Sequence, residues 1–310
     1  MNPVYSQDNN FFSYRILDKD SYELNDFPNS ITWSKTKSFG EDVDTWTNIN
    51  LSNTLDLDGD KGKLTSISKL NNELYAFQEK GISNILFNSR VQIPTEDGTP
   101  IEISNSNKVD GKRYLVQDVG CQNKFSLLPT KNGIYFIDNL GSELMLFNGE
   151  NVQSLSDTQG FRTIFNKIKN IGSWNPKYFN NFITHMDISN GDIYFTTKDF
   201  CLGYSELLQT FTSFYSYENV PSMFNLGGHF YSIKGGKIWA QNEGRYNEYF
   251  GEFKPYYIDI VTNKRSTEDK IFSNIEFRGD MFNEDNKLLQ DCPFNHIKVS
   301  NEYQEGSEDL

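Results

Sequence analysis

The stretch TKNGIYFIDNLGSELMLFNG, residues 130–149, decides the fold class. It opens on the turn dipeptide Asn132-Gly133 and continues with two short runs of Ile, Leu, Met, Tyr and Phe. A turn signal next to two such runs is typical of a β-hairpin. The stretch therefore predicts antiparallel β-structure.

The same plan recurs in three other places, and the four tyrosines at its centres are Tyr75, Tyr135, Tyr194 and Tyr231. The other copies are KLNNELYAFQEKGISNILFN (69–88), DISNGDIYFTTKDFCLGYSE (187–206) and NLGGHFYSIKGGKIWAQNEG (225–244), with turn dipeptides Asn71-Asn72, Asn190-Gly191 and Gly227-Gly228. A degenerate repeat of this kind indicates meandering blades with loops of variable length. Segments 31–50, 91–118 and 255–279 also suggest strands and turns. We therefore predict a mainly β protein, a β-propeller of about six blades.

Composition supports the same class. The chain has two alanines beside 35 asparagines and 22 glycines, which argues against an all-helical protein. Hydrophobic residues make up only 36% but aromatic residues 15%, so the core is built from few, large side chains. Cys121, Cys201 and Cys292 are too widely spaced for a disulfide or zinc framework, and we expect them reduced and buried.

One segment departs from the strand pattern. Phe161, Ile164, Phe165 and Ile168 share one face of a predicted amphipathic helix at about 157–170, with Asp157 or Thr158 available as its cap. We predict an N-terminal arm at 1–30 and the propeller, with this inserted helix, at 31–279. Residues 280–310 would be the start of a following β region or a truncated C-terminal segment.

Charge excludes one function class. The 29 basic and 42 acidic residues give −13, too acidic for a protein that grips DNA phosphates through a large basic face. Residues 1–60 hold 11 acidic and 4 basic residues, so the negative charge is concentrated there. No run of 18 apolar residues occurs, and the chain shows no membrane segment or signal-peptide pattern.

Motifs for metal binding fail on spacing. Asp56, Asp58 and Asp60 have the spacing of a calcium loop, but Lys61 takes the position of its glycine and Ile67 that of its glutamate. We interpret this segment as a solvated acidic turn. His185, His229 and His296 lie far apart in sequence and have no metal-ligand spacing.

Signals for catalysis or sugar binding are equally weak. Glu79 with Asp138, or Asp187 with Asp192, could form a glycosidase pair, but so many acids are present that the sequence selects none. The aromatic run at 210–221 could stack on sugars if exposed, and is favoured as core. We predict no catalytic, cofactor-binding or metal residues, no cofactor, and no enzyme activity.

The order of several short motifs resembles a known family. LYAF (74–77), EKGI (79–82), GIYFID (133–138) and LFNG (146–149) stand in the order found in the β-propeller of tail nozzle or hub proteins from short-tailed bacteriophages. The sequence at 192–224, 238–263 and 270–277 resembles a narrower group, the stabilisation or muzzle proteins of crAss-like phages. The resemblance covers roughly residues 31–300.

This resemblance implies a structural virion protein. Members form a hexameric ring at the distal tail, and the genome leaves through its channel without sequence-specific binding. The implied partners are further copies of the chain, the portal-proximal tail and ring proteins, and tail fibres or appendages. An alternative expectation, from the aromatic and acidic residues, is a propeller that binds or cleaves carbohydrate on the host surface.

Overall fold

The chain forms two compact units, Met1–Trp239 and Ala240–Leu310. The computed structural model describes residues 27–35, 40, 45–47, 49–50, 52–87, 90–93, 101–104, 109–165, 182–245, 247–261, 276, 281–282, 287–289, 294–301 and 303–309. Most of the predicted N-terminal arm, 1–26, lies outside the described residues.

The first unit is built mainly from short antiparallel strands. In chain order they are β1 (Ser30–Thr32), β2 (Thr54–Asp56), β3 (Leu64–Leu70), β4 (Glu73–Gln78), β5 (Gly81–Phe87), β6 (Arg90–Ile93), β7 (Ile101–Ser104), β8 (Val109–Gln117), β9 (Leu128–Pro129), β10 (Ile134–Asp138), β11 (Glu143–Phe147), β12 (Val152–Ser154), β13 (Ile183–Asp187), β14 (Asp192–Thr196), β15 (Cys201–Ser205), β16 (Thr210–Tyr215), β17 (Ser222–Leu226), β18 (His229–Lys234) and β19 (Lys237–Ala240).

These strands form four successive meandering sheets. Sheet 1 contains β3, β4, β5 and β8, with the β6–β7 hairpin inserted; sheet 2 contains β9–β12, sheet 3 β13–β16, and sheet 4 β17–β19. The first strands of consecutive sheets are neighbours, β3 with β9, β9 with β13, and β13 with β17. Sheets that converge on their first strands are the arrangement of propeller blades. The prediction of a mainly β protein is confirmed.

The four predicted hairpins are present. Each turn dipeptide joins the first strand of a sheet to the second, and the aromatic run that follows is β4, β10, β14 or β18. Asn71 and Asn72 have φ of 49° and 68°, and Gly227 and Gly228 have 61° and 85°, the left-handed values that such turns need. The turn residues were therefore a reliable signal in the sequence.

The second strands of sheets 1, 2 and 3 are buried on both sides. In β10 all five residues are buried: Ile134 and Phe136 face sheet 1, whereas Tyr135 and Ile137 face sheet 3. Alternating side chains of a strand point to opposite faces, so one strand contributes to two cores. We call the side of a sheet that points to the next sheet along the chain its forward face, and the other side its backward face.

Three interfaces repeat this arrangement. Between sheets 1 and 2, Phe77 packs on Phe136 with ring centroids 5.5 Å apart. Between sheets 2 and 3, Tyr135 lies 5.8 Å from Tyr204. Between sheets 3 and 4, Tyr194 stacks on Phe230 at 5.6 Å. Aromatic rings therefore form the contact between every pair of consecutive sheets.

A small sheet covers the backward face of sheet 1. Strands β1 and β2 pair, and Ile31 and Leu57 pack on Ala76 and Ile85 of sheet 1. Their outward side chains are polar, and the Ser30 hydroxyl donates to the Asp56 carboxylate. The described sheets form an open series, so the ring of about six blades stays a prediction.

The helical segment starts earlier than the sequence predicts and is interrupted. Helix α1 spans Leu155–Thr158, and its cap is Ser154, whose side chain accepts a hydrogen bond from the Asp157 N–H; the predicted caps, Asp157 and Thr158, lie inside the helix. A turn with Gly160 at φ 79° follows, and residues 162–165 are helical again. Phe165 is fully buried between sheets 2 and 3. Ile168 lies outside the described residues.

The second unit contains only two-stranded sheets among its described residues. They pair β20 (Glu248–Tyr249) with β21 (Glu252–Phe253), β22 (Met281–Phe282) with β23 (Leu288–Leu289), and β24 (His296–Ser300) with β25 (Glu305–Asp309). No strand forms at 255–261, and the rest of the predicted strand-and-turn segment 255–279, apart from residue 276, lies outside the described residues. Residues 257–261 have no backbone hydrogen bonds to described residues, which a strand requires.

Candidate functional site

The acidic turn that resembles a calcium loop is held by side chains of sheet 1. The Lys112 ammonium bonds the Asp58 carboxylate and also donates to the Asp56 carbonyl at 2.7 Å. The Asp60 carboxylate lies 3.7 Å from the Lys61 ammonium. Among the described residues no group of three or more metal-ligating side chains could hold a metal ion.

A buried glutamine completes this network. The Gln78 side-chain amide donates to the carbonyls of Asp58 and Gly62, at 3.0 and 2.8 Å, and its oxygen accepts from the Tyr114 hydroxyl at 2.7 Å. The same hydroxyl accepts from the Asp58 N–H at 2.9 Å. All hydrogen-bonding atoms of a fully buried amide are therefore satisfied, and the turn is fixed to the sheet.

The three histidines lie on three separate strands. His185 lies on β13, His229 on β18 and His296 on β24, where its Nδ1 is 2.7 Å from the Asp309 carboxylate. Burial lowers the pKa of His185 from 6.5 to about 4. The imidazole is partly buried beside Tyr194 of the neighbouring strand, and its lowered pKa keeps it neutral near pH 7, which is a packing role in sheet 3.

Both candidate carboxylate pairs belong to turns. Asp138 accepts from the Leu140 and Gly141 N–H groups and from Gln122, and burial raises the pKa of its carboxyl above the ordinary value. The same Gln122 amide donates to the backbone carbonyl of Glu79. Gln122 therefore links Asp138 to the backbone of residue 79 and not to the Glu79 carboxylate.

The second pair flanks the turn between β13 and β14. Asp187 and Asp192 are cross-strand partners, and Asp187 accepts hydrogen bonds from Ser189 and Asn190. Burial raises the pKa of the Asp192 carboxyl, which Ser205 opposes by hydrogen bonding and Asp187 reinforces by repulsion. The hydrogen bonds of Asp187 hold its own turn, a structural use of a carboxylate.

The aromatic run at 210–221 packs mostly inward. Phe211 contacts Tyr204 at 5.3 Å and Phe161 at 4.3 Å, while Tyr215 and Tyr217 both pack on Tyr194. Only Phe214 is more than half exposed among the aromatic residues of this run. The run therefore builds the core around sheet 3 and does not form a row of exposed rings.

The comparisons with known proteins cover both units of the chain. Residues 1–236 match the family described as Crassvirus muzzle protein, and residues 244–310 match the family described as Crassvirus muzzle protein C-terminal domain. The chain belongs to the Crassvirus muzzle protein family. The resemblance to the muzzle proteins of crAss-like phages is confirmed.

One curated relative in the muzzle family is the "Muzzle protein" of Bacteroides phage crAss001. It is 54% identical over 309 residues, which include essentially all of this chain. The chain spans 22% of the length of that relative. The two muzzle family matches, 1–236 and 244–310, lie on either side of the division between the two compact units.

The sequence missed the residues that fix the turns. Gln78 and Gln122 satisfy backbone groups of other segments, whereas Ser154 caps the helix that follows it, and no local pattern marks a glutamine as a buried bridge. The capping role of Ser154 could have been found, because serine is a preferred N-cap and stands just before α1. The structure describes no helix long and apolar enough to cross a membrane.

Proposed function

We propose that this chain is a structural component of the phage virion, located in the tail. The observation that supports this most strongly is its 54% identity over 309 residues to a curated muzzle protein. The buried carboxylates of Asp138 and Asp187 accept hydrogen bonds within turns, which agrees with a role that needs no catalytic residues. We accordingly propose that the chain is not an enzyme and uses no cofactor.

Several copies assemble, in this proposal, as a six-fold ring at the distal tail around the DNA exit channel. The four blade-like sheets support a propeller, and we propose about six blades for it, an arm at 1–30 and a following β region at 280–310. The neighbours would be portal-proximal tail and ring proteins and tail fibres or appendages. These proposed contacts are between proteins, and DNA passes through the channel without being bound.

The net charge of −13 suits a channel that DNA crosses without being held. Acidic side chains around a lumen repel phosphates, so the polymer slides instead of sticking. Asp58 is paired with Lys112, and Asp60 lies near Lys61. A negative potential in the lumen would therefore come mainly from acidic side chains other than Asp58 and Asp60.

Imaging of purified virions tests the proposal. Averaged electron micrographs of particles labelled with an antibody to this chain should show the label at the tail tip in a six-fold ring. Finding the chain only as a soluble monomer in infected cells, and never in particles, would contradict the proposal. A glycan array with the isolated chain separates the alternative, because a tail ring component should show no saturable sugar binding.

A further inference from the structure

We propose that the forward face of sheet 4 binds a further β-sheet supplied by muzzle protein sequence outside residues 1–310. This inference deepens the proposed propeller and rests on it. Its test measures the stability of the chain and not the position of a ring, so the two proposals can fail separately.

The first step is the rule that the three observed interfaces share. In each, a tyrosine in the second strand points from the forward face of one sheet into the core made with the next. Tyr75 packs on Phe147 of sheet 2 at 4.9 Å, and Tyr135 and Tyr194 make the equivalent contacts with sheets 3 and 4. Tyr231 has the same place in β18, two residues after the strand begins, as Tyr194 has in β14.

The second step is the composition of the face on which Tyr231 lies. Its cross-strand partner is Phe224, stacked on it at 5.5 Å, and Leu226 pairs with His229 on the same side. Gly235 and Gly236, with φ of 61° and 73°, form a two-residue turn, which places Ile238 of β19 opposite Ile233. Leu226 is 66% and Ile238 67% exposed. The forward face of sheet 4 is thus apolar and accessible at these positions.

The third step is the contrast with the opposite end of the series. There the backward face of sheet 1 is covered by β1 and β2, whose outward residues Thr32, Thr54 and Asp56 are polar and exposed. The backward face of sheet 1 is therefore covered within the chain, whereas the forward face of sheet 4 carries the exposed apolar side chains of Leu226 and Ile238.

The fourth step selects the occupant. In every observed interface a forward face meets a backward face that carries Ile or Phe, as with Phe136, Phe195 and Phe230. A second copy of the described sheets has no uncovered backward face, because β1 and β2 cover that of sheet 1. The chain matches 22% of the curated relative, so the family has ample sequence elsewhere to supply another sheet.

Charge around this face is compatible with a closely packed interface. Residues 219–242 contain no acidic residue in a chain that carries −13, and the strand ends hold Lys234 and Lys237. Interface centres are depleted of charged residues, and their polar rims are tolerated because they stay hydrated. The face can therefore be covered without burying a carboxylate.

A pair of aspartate variants, Leu226→Asp and Ile238→Asp, tests the proposal in two lengths of protein. In residues 1–310 alone, neither should move the thermal midpoint by more than about 2 °C, because both positions are exposed. In the muzzle protein at the full length encoded by its phage, each should lower the soluble, folded yield about tenfold or more, because a carboxylate would be buried without a partner. Ile238→Ala should give a smaller loss, which keeps the test readable if the aspartate variants do not fold.

The matched control is Leu207→Asp, on the turn between β15 and β16, where the leucine is 85% exposed and lies off the face. It should behave as the parent at both lengths. The proposal is overturned if Ile238→Asp and Leu226→Asp leave the full-length protein as soluble as the parent. It is also overturned if they destabilise residues 1–310, or if residues 1–310 dimerise in sedimentation experiments and the variants are monomeric. Those two results would assign the face to this chain itself or to a second copy.

Discussion

Strands β10 and β18 share one sequence plan and differ in burial. In β10 every residue is buried, and Tyr135 is 2% exposed between sheets 2 and 3. In β18 only Phe230 and Ser232, which face sheet 3, are buried, whereas Tyr231 on the other side is half-buried. The difference shows that an aromatic strand becomes a core strand only when a sheet covers each of its faces.

The largest expected effect tests the difference in burial between β10 and β18 directly. Tyr135→Ala removes a ring buried in a two-sided core and should lower the free energy of unfolding by about 3–5 kcal/mol. Tyr231→Ala in residues 1–310 should cost only about 1 kcal/mol, because its ring already meets solvent. Urea unfolding followed by circular dichroism measures both. Equal losses would show that the two strands are equally buried in solution.

The second prediction concerns His185, which lies beside Tyr194 in the sheet 3 face that packs on sheet 4. Burial holds its pKa at about 4, below 6.5, so the folded state binds the proton more weakly than the unfolded state. Its contribution, roughly 3 kcal/mol, is therefore complete above pH 6.5 and is lost as the pH falls from 6.5 towards 4. Unfolding midpoints measured across this pH range report the loss.

His185→Phe is the control for that pH dependence. Phe224 takes the equivalent position in sheet 4, where it pairs with Tyr231. The phenylalanine variant should show a flatter stability profile between pH 6.5 and 4, since it has no group to titrate. An unchanged profile would assign the pH dependence to other groups.

The third prediction compares Gly120, which follows β8 of sheet 1, with Gly111, which lies within β8. A Cβ at Gly120 would lie 2.2 Å from the Gln78 carbonyl oxygen, whereas a Cβ at Gly111 would meet no atom within 4 Å. Gly120→Ala should therefore cost about 1–3 kcal/mol through a forced backbone shift. Gly111→Ala should change stability by less than about 1 kcal/mol. Thermal unfolding of both variants checks this, and similar midpoints would contradict it.

The smallest expected effect belongs to the acidic turn. Lys112→Met removes the ion pair with Asp58 and should cost about 0.5–1 kcal/mol, because the pair is partly exposed. Lys237→Met, on an exposed strand end, is the control and should be neutral. The loss for Lys112→Met should shrink in 1 M salt, where surface pairs are screened. A loss that does not change with salt would mean that packing of the lysine stem dominates.

The fold class and the hairpins were predictable because their signals are local. Each of the dipeptides at 71–72, 132–133, 190–191 and 227–228 contains at least one residue with a positive φ, and each directly precedes the second strand of its sheet. The helical segment was harder to predict. Its apolar spacing is correct for Phe161 and Phe165, but Gly160 interrupts it and Ser154 is its cap.

The candidate sites were predictable only in part. Sequence spacing was enough to reject the calcium loop at Asp56, Asp58 and Asp60, since the loop glycine and glutamate are missing. It could not show that Lys112 and Gln78 hold that turn, because both come from strands distant in sequence. Contacts between distant segments have no local signature, and a buried glutamine looks like a surface one.

The sequence by itself determined the antiparallel strands and their turns, because turn chemistry and two-residue periodicity act between neighbours in the chain. The order of its short motifs indicated the muzzle family. Only the tertiary structure decided that Tyr75, Tyr135 and Tyr194 each join one sheet to the next. It also decided that Asp138 and Asp187 accept hydrogen bonds within turns. It placed Tyr231 on the forward face of sheet 4, whose edge is accessible to solvent. The physical reason is burial, which depends on which sheets meet and not on the residues of any one strand.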